Sequence, residues 1–250
     1  MKPNILITND DGINAGGIKA LEKILKNVGL VYVVAPSQER SAAAHSISFN
    51  HPLRVNFIDK YHVAVDGTPT DCAMFGCYGL LKREKPDLLV SGINHGVNLG
   101  DDITYSGTVS AALEGTLLGV PSIAFSMQYG KRFNFLLAAG FIRKICCNVI
   151  KKGLPENTFL NVNIPNCRKI NGVEIVRQGK RIYRDKMTKK TDPRGKSYYW
   201  LGGKQPGFIR EHGTDFSAIE NKKIAVTPLK FDFTNYNVLD DLKELINFKK

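Results

Sequence analysis

Near the start of the chain three large aliphatic residues, Ile5-Leu6-Ile7, run into Thr8-Asn9-Asp10-Asp11-Gly12. Such a run has no polar face, so it reads as a strand buried on both sides, the kind found inside a parallel sheet. A helical pattern begins a few residues later. Two adjacent carboxylates at the C-terminal end of a buried strand repel each other and lose hydration. In open parallel sheets that edge is where ligands bind. A divalent cation offsets the cost by turning carboxylate repulsion into coordination. A polar turn closed by a glycine is the plain alternative, so the rest of the chain is read for partners of the pair.

Ile18, Leu21, Ile24, Leu25 and Val28 recur at helical spacing up to Gly29, and Val31 to Ala35 is a second apolar strand stopped by Pro36. Strand, helix and strand imply a right-handed parallel crossover. The small, polar segment from Ser37 to Ser46 then sits at the same edge as Asp10 and Asp11. Ile47-Ser48-Phe49, Leu53-Arg54-Val55 and His62 to Val65 read as short strands of a hairpin excursion. Asp66 to Pro69 is a turn, and Thr70 is the expected N-cap of a helix reaching about Lys82.

Asp87 to Ser91 is a third core strand, and Gly92 to Asp102 a long glycine-rich loop carrying Asn94, Asn98, Asp101 and Asp102. Loops of that length inside a compact domain are usually functional. Ser106-Gly107-Thr108 opens a helix whose apolar side carries Val109, Ala112, Leu113 and Leu117. Pro121 to Ser126 is a fourth strand, 133–151 a long helix and Phe159 to Ile164 a fifth strand. The texture changes beyond Pro165. Val173 to Arg177 and Lys223 to Leu229 are strand-like, 178–215 is glycine-, basic- and aromatic-rich, and Asn237 to Phe248 is an amphipathic helix. The expected fold is α/β, a Rossmann-like, mostly parallel sheet with helices on both faces. Residues 1–165 form its core, and 166–250 an irregular, β-rich part with a returning strand and a C-terminal helix.

No apolar run approaches the roughly 20 residues that span a bilayer, and the N-terminus lacks the pattern of a signal peptide. Five cysteines without a C-x-x-C pair read as buried, reduced thiols, which suits a cytoplasm. The net charge of +12 permits an anionic partner. Its lysines and arginines are spread along the chain, however, and a solvated basic surface is the simpler reading. Nucleic acid is therefore not an expected partner.

Oxygen-bearing groups thus gather at the C-terminal ends of successive strands: Asp10 and Asp11, Ser41, Asn94 with Asn98, and Ser106 to Thr108. Carboxylates with a hydroxyl and an amide suit Mg²⁺, Mn²⁺ or Ca²⁺ rather than zinc. Free N–H groups and the positive dipole end at Ser106-Gly107-Thr108 suit a phosphate cradle, with simple helix capping as the plain alternative. A cation beside an anion cradle is the arrangement for phosphoryl-ester hydrolysis. His45 is the candidate proton donor to the leaving alkoxide, with His51, His62, His95 and His212 ranked below it. The turn after the first strand lacks G-x-G-x-x-G, which argues against a dehydrogenase.

The blocks ILITNDDG, VAPSQERSAAAHSIS, VDGTPTDC, PDLLVSGIN with NLGDDITYSGTVSAALEG, and PSIAFS, followed by DPRGKSYYWLGG, GTDFSAI and KIAVTPL, together resemble the SurE family, the survival-protein E phosphatases, in that family's order. The resemblance covers nearly the whole chain. Val97 departs from it, standing where many members have proline. The resemblance implies a metal-dependent 5′-nucleotidase acting on nucleoside monophosphates. One divalent ion per subunit would be held by Asp10, Asp11, Ser41 and Asn94, with phosphate contacts from Asn98, Ser106, Gly107 and Thr108. It also implies a homodimer or homotetramer that exchanges a C-terminal segment, for which 178–215 is the candidate. Metal-activated water is the expected nucleophile. Attack by Asp10, as in haloacid dehalogenase-like phosphatases, ranks second because those enzymes use Asp-x-Asp. The rival reading is a nucleotide- or nucleic-acid-binding module without turnover.

Overall fold

The computed structural model describes residues 2–130, 133–183, 185–203 and 207–245. β1 (Asn4–Thr8) leads through α1 (Gly16–Leu25) to β2 (Leu30–Pro36), and β3 (Val55–Phe57) and β4 (His62–Val65) follow as a hairpin. α2 (Pro69–Met74) runs into a π-helical stretch, Phe75–Leu80, ahead of β5 (Leu88–His95). A 3-10 segment, Gly100–Tyr105, precedes α3 (Gly107–Leu117), β6 (Ser122–Met127), α4 (Ala139–Lys152) and β7 (Thr158–Ile164). Beyond these come β8 (Val173–Ile175), β9 (Arg181–Ile182), β10 (Asp185–Thr191), β11 (Ser197–Gly203) and β12 (Gly207–Phe208). The order closes with α5 (Asp215–Glu220), β13 (Ile224–Lys230) and α6 (Leu239–Leu245).

Nine strands form the central sheet in the order β3-β4-β2-β1-β5-β6-β7-β13-β8. It is mostly parallel, with β3 on β4 and β13 on β7 as its antiparallel pairs. β1 lies between β2 and β5, so the chain leaves it to one side first and returns on the other. A crevice opens at such a switch point, outside the carboxyl ends of the two strands. Asp10 and Asp11 follow β1 there, and Asn94 stands one residue before the end of the neighbouring β5. Within β1, Ile5 and Ile7 pack with α1 and α4 on one face, while Leu6 packs with α2 and the π-helical stretch on the other. All three are fully buried, which is worth about 1.5–3 kcal/mol for each side chain. The aliphatic run is therefore the centre of the core, and its polar end is fixed by it.

Two strands from beyond residue 165 extend this sheet: β13 pairs with β7, and β8 with β13. β10 and β11 form a separate hairpin, and β9 with β12 another small pair. The segment around Arg181 to Tyr183 is strapped to the 3-10 turn. Arg181 N donates to Asp101 Oδ2 (3.0 Å), and Tyr183 Oη donates to Asp102 Oδ1 (2.9 Å). Both aspartates of the long loop are thereby engaged.

Local structure departs from the sequence reading in four places. Residues 47–49 are not a strand, and the hairpin begins at Val55. The N-cap of α2 is Thr68, not Thr70. Asp71 N donates to Thr68 Oγ1 (3.1 Å) and Thr68 N donates to Asp71 Oδ2 (2.8 Å), a capping box with Pro69 in the first turn. The expected loop from Gly92 belongs at first to β5, which runs on to His95 with a register shift between Ser91 and Asn94. Of the five thiols, which are all free, Cys72, Cys77 and Cys146 are buried, whereas Cys147 is exposed. The C-terminal helix is observed to Leu245, and its expected continuation through Ile246 to Phe248 lies outside the described residues.

Candidate active site

α3 starts at the same rim as the carboxylates. Ser106 is its N-cap, with its Oγ accepting from Val109 N (3.1 Å). One residue on, a Cβ at Gly107 would sit 3.0 Å from Asp10 Cβ and 3.1 Å from Pro69 Cγ. Only glycine lets the helix start this close to the pair. Thr108 then donates its hydroxyl to Asp10 Oδ1 at 2.5 Å. The positive end of an eleven-residue helix thus abuts the Asp10 carboxylate.

Asp10 is buried. Burial pushes its pKa up; the Thr108 hydrogen bond pulls it back, and the charge of Asp11 adds to the rise, from 3.8 to about 6. Asp11 is also raised, chiefly by burial, with His95 opposing. Asp11 Oδ2 is a buried oxygen without a hydrogen-bond partner. An orphaned carboxylate oxygen beside a second carboxylate is what a hard cation satisfies. Among the described residues no three His, Cys, Asp or Glu side chains converge, so a cation at this rim needs neutral oxygens as well.

The nearby neutral oxygens are placed as follows. Asn94 directs its Nδ2 to Gly96 O (3.0 Å), which leaves Oδ1 as the atom it can offer. Arg40 N donates to Asp10 O (2.8 Å), pinning the 37–46 loop to the pair one residue before Ser41. Ser41 itself is exposed, with its hydroxyl on Glu39 Oε1 (2.6 Å). Asn98 is buried in an amide network: its N donates to Asn163 Oδ1 (2.8 Å), its Nδ2 donates to Ser126 Oγ (2.7 Å), and its carbonyl accepts from Asn161 and Asn163. That network fixes the loop between β5 and α3, which the sequence showed only as glycine-rich.

His45 is the one assigned residue whose ring is engaged elsewhere. Its Nε2 lies 2.8 Å from Glu114 Oε2, and Glu114 is about two turns along α3 from Gly107. Glu114 was missed in the sequence because it sits among the apolar positions of α3, yet it is buried. His95, ranked below His45, is the histidine beside the pair: its Nδ1 is 3.9 Å from Asp11 Oδ2. The available signal was its position directly after Asn94.

A family model described as "Survival protein SurE" matches residues 5–185. The chain belongs to the SurE family. The match takes in every residue of the carboxylate pair, the 37–46 loop and the cradle. A SurE relative from Geobacter sulfurreducens, named "5′-nucleotidase SurE", is 52% identical over 243 residues, covering 96% of this chain and 92% of that protein. One of the same name from Aquifex aeolicus is 47% identical over 250 residues, covering 97% and 98%. The crystal structure of the SurE protein from Aquifex aeolicus superposes with a TM-score of 0.88 at 47% identity, covering 97% of this chain and 99% of that one. The α/β architecture is therefore that of the SurE fold throughout, its C-terminal strands included.

Proposed function

We propose that this protein is a divalent-metal-dependent phosphomonoesterase whose main substrates are nucleoside 5′-monophosphates. The observation that carries the reading is the buried Asp10–Asp11 pair, with its unpartnered Asp11 Oδ2, set against the N-terminus of α3. The curated SurE relatives are named 5′-nucleotidases, which supports the substrate class.

In this reading Asp10, Asp11, Ser41 and Asn94 hold one Mg²⁺ or Mn²⁺, with Ca²⁺ a third option. Asn98, Ser106, Gly107 and Thr108 receive the phosphate. A bound cation supplies positive charge to the transferring phosphoryl group and favours hydroxide over neutral water as the attacking species. The free N–H groups at the start of α3 add fixed partial positive charge where negative charge spreads over the phosphoryl oxygens. The Thr108 hydroxyl holds Asp10 in one rotamer, so the carboxylate does not reorganise during the reaction. Ser106 and Asn98 keep the cradle in place through the cap and the amide network. Water attack leaves no phosphoenzyme, so a phosphorylated Asp10 after acid quenching would replace it with the aspartyl route.

The protein further acts as a homodimer or homotetramer that exchanges a C-terminal segment, in the cytoplasm. The exposed Tyr199, Trp200 and Leu201 of β11 support the first part, as do Leu242 and Leu245 of α6; the free thiols support the second. No helix among the described residues is long and apolar enough to cross a membrane.

The test is a panel of 5′- and 3′-nucleotides assayed for phosphate release with Mg²⁺, Mn²⁺ and Ca²⁺. Release from 5′-nucleotides that stops on chelation supports the reading. Binding of AMP without release under any metal would return the protein to a binding module.

A further inference from the structure

The two carboxylates of the pair have different neighbours. Asp10 abuts Gly107 and Pro69, whereas Asp11 faces His95. From His95 a run of rings leads outward. Its ring lies 4.8 Å from Phe133 and 5.2 Å from Phe135, the latter stacked at 24°. Phe133 and Phe135 stack on each other at 5.3 Å and 12°, and Tyr129 stands edge-on to Phe133 at 5.5 Å and 88°. The two phenylalanines pack against the core under α1 and α4, so the cluster is anchored. Tyr129, two residues past the end of β6, keeps 76% of its surface in solvent. Gly96 N donates to Met127 O (2.9 Å), holding the β5 and β6 ends of this rim together.

We propose that the exposed ring of Tyr129, braced edge-on by Phe133, is the platform on which the nucleobase of the substrate lies, making Tyr129 a specificity-determining residue. The inference rests on the phosphomonoesterase reading and extends it. A phosphate held between Asp11 and α3 would place its nucleoside along His95, whose ring adjoins Asp11 on one side and this aromatic cluster on the other. Aromatic faces stack on any base, so the platform predicts preference for nucleotides over base-free phosphate esters with little choice among bases. His95 lies between phosphate and base, where the ribose passes.

The experiment compares 5′-AMP with ribose 5-phosphate in the wild type, Tyr129→Ala, Tyr129→Phe and Tyr105→Ala. Tyr105 is the control, an exposed ring on the cradle side of the site. Tyr129→Ala is expected to raise KM for AMP about tenfold, with KM for ribose 5-phosphate held within about twofold. Tyr129→Phe should keep the wild-type preference. An unchanged AMP-to-ribose-phosphate ratio in Tyr129→Ala would overturn the platform, as would the same base-dependent loss in Tyr105→Ala alone. If the wild type releases phosphate from neither ester, the hydrolase reading fails instead. Calorimetric binding of AMP to the same variants then judges the platform by the same ratio.

Discussion

The Thr108 hydroxyl donates to Asp10 Oδ1 at 2.5 Å, joining residues 98 apart in the sequence. The bond ties the first strand of the sheet to the helix that forms the cradle. Replacing it affects both parts of the site. Thr108→Val keeps the shape but leaves a buried carboxylate without its donor, which costs about 1–3 kcal/mol. Urea unfolding at pH 7.5 should show that loss, together with a fall in kcat/KM for 5′-AMP. Thr108→Ser should recover most of both. A Val variant as stable and as active as the wild type would remove Thr108 from the site.

Gly107 makes a separate prediction, because its side chain is excluded by contact rather than by backbone angle. A Cβ there meets Asp10 and Pro69 at 3.0 and 3.1 Å, so Gly107→Ala must move one of them. A displacement of about 1 Å in a positioned site costs on the order of a hundredfold in rate, and the shift needed here is a few tenths of an ångström, so the loss should be smaller. We expect a loss of about three- to tenfold in kcat/KM, with a change of only a few degrees in Tm. Full activity would mean that the helix start and Asp10 do not act together.

His45 is tested by the partner it has. With Nε2 on Glu114 Oε2 at 2.8 Å, the ring ties the 37–46 loop to the side of α3. His45→Gln is expected to lower kcat less than tenfold. A fall of about 10²–10⁴-fold, together with loss of the acidic or basic limb of the pH–rate profile, would instead mark it as the proton donor.

Stability should depend on pH through His62, away from the site. Burial lowers its pKa, but hydrogen bonds to Asp59 and Glu22 outweigh that and leave it raised above 6.5. A histidine with a raised folded pKa contributes stability that is fully present below about pH 6.5 and is lost as pH rises through the folded value. The Tm difference between wild type and His62→Gln should therefore be larger at pH 5.5 than at pH 8.5. The reverse order, or no change, would contradict the assigned ion pairs.

The sequence carried the core of the fold because Ile5-Leu6-Ile7 and Ile123-Ala124-Phe125 are buried on both faces, as is Val31 to Ala35 apart from the half-buried Tyr32, and each run is short and bounded by turn residues. The carboxylate pair was legible for the same reason, being the polar end of such a run. What was not legible depended on contacts between distant segments. Nothing local in Ile224 to Lys230 announces that it pairs antiparallel with β7. The Glu114–His45 bond joins residues 69 apart, and the Asn98 network ties a loop to two strands, β6 and β7. Thr68 was a local miss. Its Thr-Pro-Thr-Asp pattern holds both the capping-box spacing and a proline at the first helical position, a signal that outranks Thr70.

Manganese binding followed by electron paramagnetic resonance tests the assignment on which the mechanism rests. The wild type should bind one Mn²⁺ per chain, and Asp11→Asn, matched to it in Tm, should bind about a hundredfold more weakly or not at all. Equal Mn²⁺ affinity in the two proteins would contradict a cation held at the end of β1.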